Sequence, residues 1–213
     1  MRSSLKKYLD GLYRTFDIRY LSPDPLEIVH RYRRPEDREV VGFVASALAY
    51  GQVEQILESV DRALALMEAD GKSPSGFVRA FDPVRDGEKL RSFRHRFNAG
   101  EDLACLLYWT RQAMEEAGSL EGFFLRGYRP EEADVGPALS RFVRGLLSLD
   151  RGGFYPKGLP GPGQGVRYFL PSPEDGSACK RLNLFLRWMV RRGDALDFGQ
   201  WREVSAARLV IPL

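Results

Sequence analysis

Val40 to Tyr50 reads VVGFVASALAY, with Gly42 and Ser46 the only residues outside the apolar set. A helix that is apolar all round has to be buried on every side. This run is therefore expected to be the central helix of an all-α, multi-helix globular domain. Arg34-Pro35-Glu36-Asp37 supplies its start, with proline at the first turn and acids where a helix beginning favours negative charge. Gly51-Gln52 interrupts the run, and a helical period resumes from Val53 to Ala69.

Working outward, residues 3–17 form an amphipathic stretch with Leu5, Tyr8, Leu9, Leu12 and Phe16 on one face. Asp24-Pro25 predicts a short helix to Tyr32, and Ser73-Pro74 another ending near Phe81. Helices are expected over 101–117, from the cap Ser119 through Leu125, and from Pro130, with Gly136-Pro137 able to delay that last start. Residues 150–176 form one long Gly/Pro-rich loop, with five prolines and seven glycines, of the kind that is usually functional or mobile. Within it Val166 to Leu170 reads as a short extended piece. Asp197 or Gly199 marks a restart through Trp201. The pattern holds no alternating strand set and no 20–50-residue repeat.

A second stretch carries the chemistry: Leu170 to Arg192, LPSPEDGSACKRLNLFLRWMVRR. Pro171, Pro173 and Gly176 make a turn, Glu174 and Asp175 suit a helix start, and Ser177 is a good N-cap. At about 100° per residue, Ala178, Leu182, Phe185 and Met189 form one apolar stripe, while Lys180, Arg187 and Arg191 share the opposite arc. A lysine in the first turn, where the helix dipole disfavours a cation, is better placed to meet an anion than to stabilise its own helix. The competing reading is an ordinary solvated basic face.

The 213 residues suffice for one helical domain over 1–213, or for two lobes, 1–149 around the central helix and 150–213 around the turn-helix 170–192. Net charge is only +3, but residues 150–213 carry ten Lys and Arg against six Asp and Glu. A basic C-terminal part suits a polyanion without demanding one. Around residues 91–97, Arg91, Arg94, His95 and Arg96 alternate with Phe93 and Phe97, a pattern that can track a nucleic-acid backbone or simply mix core with solvated neighbours. Cys105 and Cys179 fall in helical patterns on apolar stripes, no CxxC pair exists, and two histidines lie far apart. That predicts buried thiols, no metal centre and a cytoplasmic chain. No signal-peptide apolar region and no membrane-span run is present, so no membrane association is expected.

GxxxxGK[ST], GxGxxG after a strand and GxSxG are all missing, which disfavours the familiar nucleotide-binding and hydrolase sites; no cofactor is expected. Lys180 is the one candidate nucleophile with context. Arg181 beside it, and Arg187 and Arg191 on its face, favour the free amine that can form a Schiff base.

LPSPEDGSACKRLN resembles an enlarged version of the hairpin in helix-hairpin-helix DNA glycosylases, Leu-Pro-Gly-x-Gly-x-Lys, with Leu170, Pro171, Gly176, Lys180 and Asn183 as counterparts. The turn is longer here and the first Gly-x-Gly is missing. REVVGFVASALAYGQVEQILESV is similar to the early glycosylase segment in which an apolar helix ends in a glutamine, at Gln52. The resemblance implies double-stranded DNA as partner, hairpin amides around Gly176 and Ser177 on a phosphate, and Gln52 entering the duplex where a base is flipped out. It also implies Lys180 as catalytic nucleophile. Across its length the chain resembles an uncharacterised bacterial family, labelled domain of unknown function 2400.

In both families the run matching Leu209-Val210-Ile211-Pro212-Leu213 continues into Asp-Thr-His or a close variant, whose aspartate is the glycosylase catalytic acid. The expectation is a chain that folds, lacks full glycosylase chemistry, and leaves an apolar groove open to self-association through the C-terminal end. Three functions stay in view: a DNA base-excision-repair-like protein, with Arg181, Asn183, Arg187 and Arg191 contacting DNA; a non-catalytic helical nucleic-acid-binding module; and a protein-interaction module.

Overall fold

The computed structural model describes residues 2–15, 17–193 and 195–211. Phe16 and Leu213, which belong to the N-terminal stripe and the C-terminal run, lie outside the described residues. Among those described, the architecture is all-α, with eleven helices and one hairpin of two-residue strands.

The order is α1 (Arg2–Thr15), α2 (Leu26–Val29), α3 (Pro35–Leu48), α4 (Val53–Glu68), α5 (Pro74–Arg79) and α6 (Arg85–Leu90). The hairpin β1 (Arg94–His95) and β2 (Asn98–Ala99) follows, pairing Arg94 with Ala99 and His95 with Asn98. Then come α7 (Gly100–Ala117), α8 (Leu120–Leu125), α9 (Gly136–Ser148), α10 (Val166–Phe169) and α11 (Lys180–Val190).

Helix α3 is the centre. Every residue from Glu39 to Leu48 is buried, and α2, α4, α5 and α11 pack around it. Gly42 lets α11 come close: a Cβ there would sit 3.0 Å from Met189 Cε. Phe43 packs against Phe185 of α11 at 5.2 Å between ring centroids. The two acids buried in the first turns of α3 are not stranded, because each meets the start of another helix. Asp37 Oδ1 accepts from the backbone N–H and hydroxyl of Ser75 in α5, at 3.0 and 2.6 Å. Glu39 accepts from the backbone N–H groups of Leu120 and Glu121 at the head of α8, both at 3.0 Å, and from the indole N–H of Trp201 at 2.8 Å. Helix N-termini carry orphan donors and partial positive charge, so they are natural partners for buried carboxylates. Burial raises the Glu39 pKa above the ordinary value, and these donors oppose the rise.

Helix α1 shows its apolar face, with Leu5, Tyr8, Leu9 and Leu12 all exposed. No described helix is long and apolar enough to cross a membrane.

Several expectations need correction. Pro130 opens no helix; α9 starts at Gly136, where Asp134 Oδ1 accepts from the Gly136 N–H at 2.7 Å. Val166–Leu170 is not extended. Val166 and Phe169, three apart, both enter the core, which a helical turn allows and a strand does not. Ser177 does not cap α11. It accepts from the Cys179 N–H at 3.1 Å, and Cys179, in the left-handed region at φ 49°, occupies the N-cap instead. Glu174 and Asp175 pair with Arg144 and Arg167 rather than sitting on the first turn of α11. The segment through Trp201 forms no helix, because its amides go to α11: Phe198 N–H to Trp188 O and Trp201 N–H to Met189 O, each 2.8 Å.

The long loop after α9 is tied down at both ends. Asp150 O accepts from the Trp109 indole at 3.1 Å, and the Tyr155 hydroxyl donates to Asp102 while accepting from Val166 N–H at 3.0 Å.

Candidate functional site

The face of α11 opposite its buried stripe lines a cleft of about 480 Å³. Lys180, Asn183, Leu184, Arg187 and Arg191 form one wall, and Leu209, Val210 and Ile211 the other. That volume falls within the roughly 300–1,000 Å³ usual for ligand sites. Lys180 is exposed at α11's first turn, as the helical spacing requires. Arg187 and Arg191 both reach Asp197, whose Oδ2 accepts from their Nε atoms at 3.2 and 2.9 Å. Asn183 donates to Ala178 O and Cys179 O, both at 3.2 Å, which leaves its Oδ1 buried and without a hydrogen-bond partner.

Four of the sequence-derived residues, Arg181, Gly176, Ser177 and Gln52, are placed elsewhere. Arg181 turns away from the cleft. Its guanidinium donates to Ala47 O at 2.9 Å and to Tyr168 O, and lies over the rings of Tyr168 and Tyr50 at 4.2 and 4.9 Å. Burial lowers its pKa, opposed by the two tyrosines. Arg181 thus fastens α11 to the end of α3 and to α10. The Gly176 and Ser177 amides are already used, donating to Pro173 O at 3.0 Å and Ser172 O at 3.3 Å. In this conformation they hold the turn together instead of facing a ligand. Gly176 supplies the left-handed φ of 73° that this turn requires.

Gln52 belongs to a second locus. It is exposed at the head of α4, directly after Gly51, whose φ of 104° would strain any side chain there and which lies against the Arg96 side chain. Across from it stands the tip of the β1–β2 hairpin. Arg96 adopts a left-handed φ of 53°, and Phe97 follows it 61% exposed. The Phe97 ring meets Tyr168 at 4.5 Å and Tyr50 at 5.5 Å, so three aromatic rings with Arg181 behind them form a platform beside Gln52. Phe97 is the residue whose outward role the sequence left undecided. Phe93 is in the core and Phe97 is not, though each is next to an arginine.

Arg181 ties the two loci together, since its side chain supports the platform while Lys180, its neighbour, faces the cleft. Both cysteines are buried thiols, and burial raises the pKa of each. Among the described residues no three His, Cys, Asp or Glu side chains are grouped as a metal site needs.

Fold and cleft together define an all-helical protein with one basic, apolar-backed cleft on its last helix. The chain belongs to the family described as Protein of unknown function (DUF2400), whose model matches residues 24–213. No curated protein and no solved structure matches it.

Proposed function

We propose that this chain is a DNA-binding, base-excision-repair-like protein that takes an abasic or flipped-out nucleotide of duplex DNA into the α11 cleft. The observation that carries the reading is the convergence of Lys180, Arg187 and Arg191 on one apolar-backed cleft. Cations supply affinity for phosphates, and an apolar wall favours a base or sugar over a free anion. The platform of Phe97, Tyr168 and Tyr50 supports the same reading, because a nucleobase stacks on an exposed aromatic ring. In this reading Gln52, exposed at the head of α4, is the side chain that enters the duplex.

Lys180 has the chemistry for an abasic sugar. Its unprotonated amine adds to the C1′ aldehyde, the carbinolamine loses water, and an imine joins Nζ to the sugar. Hydride from borohydride then reduces that imine to a stable secondary amine.

The test uses duplex DNA with a single abasic site. Binding should weaken steeply with salt as counterion release loses its advantage. Borohydride should leave a covalent complex with the unaltered chain and none with Lys180→Gln. Salt-sensitive binding without trapping would reduce the function to a non-catalytic nucleic-acid-binding module. Absence of binding at low salt would remove nucleic acid altogether.

A further inference from the structure

Arg187 and Arg191 lie one helical turn apart on α11, and like charges at that spacing repel. They are nevertheless drawn to the same point. The Asp197 side chain is fully shielded from solvent, and its single atom Oδ2 accepts from both Nε atoms. The position of Asp197 is fixed by backbone. The next residue, Phe198, donates its N–H to Trp188 O, and the preceding carbonyl, Leu196 O, accepts from His30 Nε2, both at 2.8 Å. Arg187 is engaged only through Nε, so both of its Nη groups are without a protein partner among the described residues.

We propose that Asp197 is a positioning residue that sets Arg187 to clamp one phosphodiester of the DNA entering the Lys180 cleft, with Arg191 sharing the buried carboxylate. The proposal rests on the DNA reading above. Guanidinium groups match phosphate oxygens through paired N–H donors, and Arg187, held at Nε, keeps its Nη groups for that purpose. A carboxylate near a phosphate site would ordinarily repel the ligand. Here it is buried against two guanidinium groups, which separate it from a ligand in the cleft.

The sign of one substitution separates positioning from plain charge. Asp197→Asn removes a negative charge. If Asp197 matters only electrostatically, duplex DNA binds more tightly to the variant. If it positions the arginines, binding weakens, by about tenfold or more. The slope of log affinity against log salt should also fall by about one contact's worth, roughly 0.9. Fluorescence anisotropy of a labelled duplex across a salt series reads both. Arg187→Gln should weaken binding in the unaltered chain and add little once Asp197 is Asn; additive losses would overturn the clamp.

Arg187→Lys keeps the charge at an exposed position where folding is not at stake. It should lose nearly as much affinity as Arg187→Gln, and full retention would overturn the proposal even if Asp197→Asn fails to fold. An unaltered chain that binds no duplex overturns both this proposal and the DNA reading. Binding that tightens in Asp197→Asn overturns the proposal alone.

Discussion

At the scale of single residues, α11 shows how one helix gives similar side chains opposite tasks. Arg181 is about 100° round from Lys180, at the edge of the buried stripe, so it reaches the carbonyls of Ala47 and Tyr168 while Lys180 faces the cleft. His95, in β1, is buried for a related reason. Its Nε2 donates to Tyr50 O at 3.2 Å, so Nδ1 is left to accept from the Ser59 hydroxyl at 2.8 Å. This pairing suits the neutral ring, and burial lowers the pKa below the ordinary 6.5. The unfolded chain therefore binds a proton that the folded chain refuses. The stability gained is present above about pH 6.5 and is lost as pH falls, by at most about 1.4 kcal/mol per pH unit. Denaturant titrations between about pH 7 and about pH 5 should show a shallower dependence in His95→Gln than in the unaltered chain. Comparing the two isolates His95 from Glu39, whose raised pKa acts with the opposite slope. Parallel curves would mean that His95 does not titrate in this way.

At the scale of elements, the hairpin is the part that periodicity missed. Two-residue strands offer no alternation to detect, and the turn depends on Arg96 adopting a left-handed φ that nothing in its side chain announces. Without the hairpin, Phe93 and Phe97 look equivalent, and only the turn sends one inward and the other out. The long helices were legible because their apolar patterns persist for several turns: α3, α4, α7 and α11 all lie close to where the sequence puts them. The Lys180 face of α11 was legible for the same reason. What escaped was Asp197, read only as a helix restart, because its meaning comes from a backbone path folded onto α11. For the platform, Phe97→Ala should weaken binding of the abasic-site duplex by about 1–3 kcal/mol, the worth of one base stacked on an aromatic ring. It should change stability by no more than about 0.5 kcal/mol, since the ring is mostly in solvent. A large drop in melting temperature with unchanged DNA affinity would make Phe97 a packing residue instead.

At the scale of the whole molecule, one apolar cluster runs from Leu26 to Val204, and the cleft is laid directly upon it. The segment after α11 that carries Asp197 looks irregular, yet Trp201 within it is almost wholly buried. Its ring meets Phe185 at 5.3 Å and Phe124 at 5.5 Å, its indole reaches Glu39 in α3, and its amide caps Met189 O. A segment held in this manner does not breathe as surface loops do. In native-state hydrogen exchange, the Trp201 amide should open only with the global unfolding of the domain, whereas amides near Gly158 and Gly163 should exchange early. Fast exchange at Trp201 would show the segment lifting independently. If it is slow, the segment that holds the two arginines cannot be loosened without melting the protein, and any partner entering the cleft meets that side of it as a rigid mould rather than a closing hand.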